Sequence, residues 1–343
     1  MTAAESQMLR EIREIPDAVA RLLDRGGPVI AGSAAEIRAL GPAFVATVAR
    51  GSSDHAATYL KYACEILLGL PVASIGPSVA SIYRAPLRLS GGLCLVISQS
   101  GRSPDIVEMA RAARAGGAMT LALTNDAASP LARAVQGVID LAAGPELSVA
   151  ATKTFVTSAV AALMLVAEWA GDAPLLAAIR ALPEALERAG RADWGVLTAR
   201  LAEAPSLFTL GRGPGFAMSG EAALKFKETC RIHAENYSSA EVLHGPVSIV
   251  EGGFPVLAFA AADAAEESVV SVADELAGKG AEVFVTSDRA RAARSLPRVR
   301  TGHPLTDPIA LIVSFYAMVE AVARARGIDP DRPRHLSKVT ETL

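Results

Sequence analysis

The run Val96-Ile97-Ser98-Gln99-Ser100-Gly101-Arg102-Ser103-Pro104-Asp105, VISQSGRSPD, decides the fold class. It closes the apolar, β-rich stretch LCLVIS and opens the amphipathic stretch IVEMARAARAGG, which ends on paired glycines and is followed by MTLALT. Strand, turn, helix, strand is the order of a βαβ unit, and its two strands then lie parallel in one sheet. Pro104 suits the first turn of the helix, where its missing N–H would have had no intrahelical partner, and Ser103 suits the N-cap.

Working outward, the first half offers FVATVA, PVASI, LCLVIS, MTLALT and VIDL as strands, and the second offers LFTLG, VLAFA and EVFVTS. A helix at about residues 5 to 24 precedes the first unit, Pro183 marks a helical connector between the halves, and Pro205 follows a further short helix. The chain also describes itself twice. Arg50-Gly51 lies 162 positions before Arg212-Gly213, and Asn125 lies 163 before Asp288. A near-constant offset over separate segments points to duplication. The expected fold is therefore α/β, with two tandem, doubly wound, flavodoxin-like parallel-sheet domains. Their expected bounds are a helical leader at 1–40, a first domain at 41–190, a second at 191–328 and a tail at 329–343.

Composition narrows the function classes. Half of the 343 residues are hydrophobic (51%), enough for two cores, and the formal charge of −3 gives no ground for a nucleic-acid or anionic-membrane partner. The most apolar run, residues 155–171, contains Thr157, Ser158 and Glu168 and reads as too short to cross a bilayer. Cys64, Cys94 and Cys230 lie in apolar segments without metal-ligand spacing, as reduced core residues of a cytoplasmic protein do. No metal or other cofactor is expected. GRGPG at 211–215 has its third glycine misplaced for a dinucleotide fingerprint, so a nicotinamide cofactor is rejected.

In open parallel sheets ligands bind beyond the carboxyl ends of the strands, where VISQSGRSPD falls. Free N–H groups at a helix start attract an anion, and Ser98, Gln99, Ser100 and Ser103 add donors. Hydrogen bonds to a charged group contribute roughly 1.5–3 kcal/mol each. Three or four of them match the affinity of a metabolite complex. A second hydroxyl loop, ARGSSDHAA, follows the first strand with Ser52 and Ser53. In the second half the matching stretch is AFAAADAAEE, and the hydroxyls are gone.

The motifs RGSS, SQSGRSPD, VAATKTF, EAALKFKE, IHAENY, EVLHGP and DPDRPRHLSK occur in the order found in tandem sugar isomerase (SIS) domains. From about residue 40 onward the chain resembles the isomerase half of glutamine–fructose-6-phosphate aminotransferase and the glucosamine-6-phosphate deaminases of that type. The resemblance implies a sugar 6-phosphate substrate, with the phosphate on the serine loops. It implies that Glu228 shuttles a proton between C1 and C2, with Lys225 beside it on the same helix face. His244 would open the sugar ring from a neighbouring subunit, which makes the expected assembly a homodimer. Lys338 matches the lysine that forms a Schiff base in the aminotransferase, a role that needs burial or nearby cations to yield neutral amine. Arg332, Arg334 and His335 are the cations near it in sequence. Lys153 and the backbone of Val149 are implied to lie near the sugar.

The departures bear on the reaction. The chain begins Met1-Thr2, with about 40 residues before the first repeat, so no glutaminase activity is expected in it. Arg50 stands where the aminotransferase pattern has cysteine, Ala151 where it has serine, and His335 where it has asparagine. The leading expectation is a deaminase that turns glucosamine 6-phosphate into fructose 6-phosphate and ammonia. Its rivals are a deglycase of 6-phosphorylated sugar–amine adducts, an ammonia-dependent synthase, and a sugar-phosphate sensor without turnover.

Overall fold

The computed structural model describes residues 5–338. At the start, two helices, α1 (Gln7–Arg13) and α2 (Ile15–Leu40), replace the single helix expected at 5–24. The run Gly26-Gly27-Pro28 reads as a breaker, yet it lies inside α2. Packing explains why: a Cβ on Gly26 would sit 3.0 Å from Leu22 Cδ1, and one on Gly27 would sit 3.4 Å from Met164 Cε. Both neighbours are flexible side-chain ends near contact distance, and the packing of α2 as a whole outweighs the poor helix propensity of this run.

The chain forms two compact units. Of the described residues, one contains Asp17–Glu146, Lys153–Arg180 and 336–338; the other contains 5–16, Leu147–Thr152 and Ala181–His335. The first is built on β1 (Phe44–Val48), β2 (Val72–Ser74), β3 (Gly92–Ile97), β4 (Met119–Thr124) and β5 (Gly137–Asp140). These strands are all parallel, in the order β2-β1-β3-β4-β5. Helices α3 (Ser52–Leu68), α4 (Ser78–Ser81), α5 (Pro104–Ala115), α6 (Pro130–Ala134), α7 (Lys153–Ala170) and α8 (Ala173–Arg180) complete this unit. All five strands are those read from the sequence. β3 is buried along its whole length, as expected of a central parallel strand covered on both faces.

The second unit begins with α9 (Leu182–Ala189) and α10 (Gly195–Leu201). Its sheet contains β6 (Ser206–Gly211), β7 (His233–Ser238), β8 (Pro255–Ala258), β9 (Glu282–Val285) and β10 (Arg294–Ser295), in the order β10-β9-β8-β6-β7. Taken from its own first strand, that is the topology of the first sheet. The remaining helices are α11 (Pro214–Lys225), α12 (Glu266–Gly278) and α13 (Asp307–Ala325). β7 and β10 were not foreseen. Both are edge strands, and HAENYS carries polar residues because one of its sides has no neighbouring strand.

The duplication is visible in backbone angles. Gly51 opens α3 with φ 55° and ψ −133°, and Gly213 opens α11 with φ 57° and ψ −137°. This conformation belongs to glycine, and it recurs at the same turn in both halves. Each unit also wraps one apolar helix. The run at 155–171, read as too short for a bilayer, folds into the 18-residue α7, and α7 and α13 are both long and apolar enough to cross one by length and composition. Of their most apolar windows, 83% and 78% are buried inside the protein, so the protein core accounts for this apolar surface.

Candidate active site

β1 and β3 are neighbours, but the chain leaves β1 through α3 toward β2 on one side and leaves β3 through α5 toward β4 on the other. Their carboxyl ends therefore form the switch point of the first sheet, where α/β proteins of this order open a crevice. Ser52 and Ser53 occupy the first turn of α3 at this edge, and Ser98 to Ser103 form the loop entering α5, with Ser103 at its N-cap.

The loop is rigid. The Gly101 N–H donates to Ser98 Oγ (3.2 Å), and the Arg102 N–H donates to Ser100 Oγ (3.3 Å). The Gly101 carbonyl accepts from the Leu131 N–H (3.0 Å), and the Gln99 carbonyl accepts from the Asn125 N–H (3.1 Å). Gly101 has φ +60°, and a Cβ there would come within 2.3 Å of Ser129 Oγ, so no other residue fits. Ser98 and Ser100 accept from the loop itself, and each keeps a hydroxyl proton to donate. Such a loop can offer hydroxyl donors to an anion.

The equivalent edge of the second unit is filled from within. The Ala262 N–H, in the loop after β8, donates to Asp307 Oδ2 (2.8 Å), and the Thr301 N–H donates to Asp307 Oδ1 (3.0 Å). Arg300 bridges Asp307 (2.6 Å) and Glu266 (2.5 Å), and Ser287 Oγ donates to Glu266 (2.7 Å). The protein's own carboxylates occupy the backbone donors that a ligand anion would need.

The carboxylate–lysine cluster lies on α11 and the turn after it. Phe226–Cys230 is a π-helical turn where the sequence led us to expect a continuing α-helix. Thr229 Oγ1 donates to the Lys225 carbonyl (2.8 Å), and Arg231 ends the turn with φ 53°. Such wide turns recur at functional sites because they displace side chains from the regular helical face. Lys225 is fully buried; Nζ donates to Glu228 and lies 3.4 Å from Glu221 Oε1, while the Tyr316 hydroxyl donates to Glu221 (2.8 Å). Burial alone would lower the Lys225 pKa, but the charges of Glu221 and Glu228 and their hydrogen bonds outweigh it and hold the ammonium above its ordinary value. Edge-to-face packing of Phe226 on Phe315, with centroids 5.2 Å apart, braces the turn. Glu221 and Lys225 show no exposed side-chain surface, whereas Glu228 keeps 20%. The cluster thus holds one carboxylate at the surface in a fixed position by means of a buried cation.

Lys338 Nζ donates to the buried Glu146 carboxylate (3.0 Å), which also takes the Thr154 N–H (2.9 Å) and hydroxyl (2.6 Å). Burial pushes the Glu146 pKa up, but the Lys338 charge and the Thr154 hydrogen bonds more than offset it and hold it below the usual range. The partner that Lys338 meets is thus an anion, not the basic residues beside it in sequence. Lys153 is buried, with Nζ on the Pro145 carbonyl (2.7 Å), and Val149 is half-buried. His244 stands on an exposed turn, its N–H donating to the Glu241 carbonyl (2.9 Å). Glu146, Tyr316, Asp105 and the Asp307–Arg300 network were not singled out from the sequence; each gains its meaning from a partner remote in the chain. Among the described residues, no group of three or more His, Cys, Asp or Glu is arranged to hold a metal ion.

A family model described as the SIS domain matches residues 45–168 and 200–292, one stretch in each half. The chain belongs to the SIS domain family. This SIS chain is 34% identical to the glutamine–fructose-6-phosphate aminotransferase of Methanothermobacter thermautotrophicus over 339 residues, which cover 96% of this chain and 56% of that protein. The Symbiobacterium thermophilum enzyme of that name is also 34% identical, over 96% of this chain and 58% of its own length. The SIS chain thus spans little more than half of these relatives. A crystal structure from Silicibacter pomeroyi, described provisionally as a phosphosugar isomerase, is 65% identical, with a TM-score of 0.93 over 95% of this chain and all of that one. The glucosamine-6-phosphate deaminase of Thermotoga maritima shares the fold at 22% identity, with a TM-score of 0.79 over 98% of this chain and all of that one.

Proposed function

We propose that this chain is a phosphosugar isomerase working as a deaminase, which converts glucosamine 6-phosphate and water into fructose 6-phosphate and ammonia. The serine loops at the β1/β3 edge hold the phosphate. His244, from a second copy of the chain in a homodimer, transfers the proton that opens the ring, a task suited to a group titrating near neutrality. Glu228 takes the C2 proton and returns it at C1, leaving an imine at C2. Water adds to that carbon, ammonia leaves, and the ketose remains. Lys225 keeps Glu228 in place and balances its charge.

The observation that carries this reading is the buried Glu221–Lys225–Glu228 cluster with Glu228 alone reaching the surface. A proton shuttle must be reachable and also fixed, and an exposed ion pair on a helix satisfies only the first condition. Membership of the SIS family and the aminotransferase relatives support the sugar phosphate. The exposure of His244 supports donation to a second subunit. A soluble metabolite as substrate favours a cytoplasmic site of action.

The test is ammonia release from glucosamine 6-phosphate. Turnover by the wild type and its loss in Glu228→Gln support the proposal; no release above the blank from folded protein rejects it. Turnover confined to N-substituted 6-phosphosugar amines would transfer the assignment to a deglycase, for which Ala151 leaves space in place of a hydroxyl-bearing residue.

A further inference from the structure

We propose that Arg50 belongs to the anion seat and reads the second negative charge of the phosphate. The inference rests on the serine loops being that seat. Arg50 lies between β1 and Gly51, and its Nε and Nη2 donate to Asp105 Oδ2 at 3.2 and 2.9 Å. Asp105 sits in the first turn of α5 and is almost fully buried. The guanidinium therefore reaches from the loop after β1 to the helix after β3, across the two loops that carry the serines. Its side chain keeps 55% of its surface, and among the described residues Nη1 has no hydrogen-bond partner.

A guanidinium has two donor edges. Asp105 takes the Nε/Nη2 edge and thereby fixes the rotamer, so the Nη1 edge is presented without further ordering. The charges nearby explain why a cation is needed. The serines and loop amides are neutral donors. Asp54 in the first turn of α3 and Asp105 in that of α5 are acidic, and the cation on the loop itself, Arg102, is engaged with Asp126 (2.9 Å). Without Arg50, a dianion between these two helix starts would meet Asp54 and Asp105, with Arg102 already committed to Asp126. Burial raises the Asp54 carboxyl above its ordinary value, and the Arg50 charge opposes that shift without cancelling it.

The second half contains an internal control. Arg212 occupies the equivalent position before Gly213 and likewise reaches the next crossover helix, its Nη1 donating to Ser268 Oγ (3.0 Å). There the loop has no hydroxyls and is filled by Asp307, so Arg212 has the same architecture without a seat to serve.

The experiment is titration of the full chain with inorganic phosphate, followed by calorimetry and thermal shift, at about pH 8.5 for the dianion and about pH 5.5 for the monoanion. In Arg50→Gln, phosphate should bind about tenfold or more weakly at the higher pH, the size of one charge-assisted hydrogen bond, and most of the difference between the two pH values should vanish. Arg50→Lys should recover part of the affinity, which also excludes misfolding as the cause, and Arg212→Gln should change neither titration. If Arg50→Gln binds like the wild type while Ser98→Ala is weakened, the seat exists and the arginine is not part of it. If the wild type binds no phosphate at either pH, the seat itself is wrong, and the phosphate anchor of the proposed function falls with this inference.

Discussion

The β1/β3 edge and the β6/β8 edge are the same place in two copies of one fold, yet they are finished in opposite ways. At the first, the Ser98 and Ser100 oxygens accept loop amides and keep their own protons to donate. At the second, Asp307 takes the amides and Arg300 ties Asp307 to Glu266. Unsatisfied donors at a switch point are costly unless something accepts from them. In one copy serine hydroxyls accept from the amides; in the other a carboxylate does. If the proposed phosphate seat holds, the two equivalent edges differ as a binding edge and a structural one, hydroxyls at the first standing opposite a carboxylate network at the second.

This contrast can be broken by experiment. The largest expected effect lies outside both edges: Glu228→Gln should lower kcat by about 10²- to 10⁴-fold, the range of general acid–base catalysis, while KM changes little, as read from steady-state ammonia release. Next, Asp307→Ala leaves the Ala262 and Thr301 amides without their acceptor and Arg300 with Glu266 as its remaining carboxylate. Denaturant unfolding should show a loss of about 1–3 kcal/mol, with KM of the folded fraction unchanged. An increase in KM instead would make the second edge a binding site and end the comparison. Ser98→Ala should raise KM about tenfold, with a stability loss smaller than that of Asp307→Ala because a single loop amide loses its acceptor. The smallest effect concerns Glu146, whose pKa is held low in the folded chain. A group depressed on folding contributes stability that is complete above its unfolded value of about 4.3 and is lost as pH falls through the folded value. Unfolding between about pH 6 and pH 3 should therefore be less steeply acid-dependent in Glu146→Gln than in the wild type.

Much of the fold was legible because parallel strands buried on both faces are continuous apolar runs. FVATVA, LCLVIS and MTLALT announce themselves for that reason. HAENYS did not, since an edge strand needs no such run, and the two-residue β10 is too short to leave any pattern. The helix expected to end at residue 24 erred in the other direction: α2 runs on through Gly26-Gly27-Pro28 to Leu40, because tertiary packing overrides local propensity. Residues of the candidate site divide in the same way. Ser98, Ser100 and Ser103 lie within six positions of one another, and Glu221, Lys225 and Glu228 are related by helical spacing. Glu146 with Lys338, Tyr316 with Glu221, and Arg50 with Asp105 are separated by 192, 95 and 55 positions. No local pattern marks such pairs.

The order of apolar runs, the doubled Arg-Gly turns and the hydroxyl loop were determined by the amino-acid sequence alone, because periodicity, glycine conformation and helix capping are short-range physics. Tertiary structure decided what those groups face. It made Lys225 a buried cation between two carboxylates, gave Lys338 an anionic partner, and closed one of two equivalent edges with Asp307. Charge pairing depends on distance in space and on the exclusion of water, and neither is written in the spacing of residues along a chain.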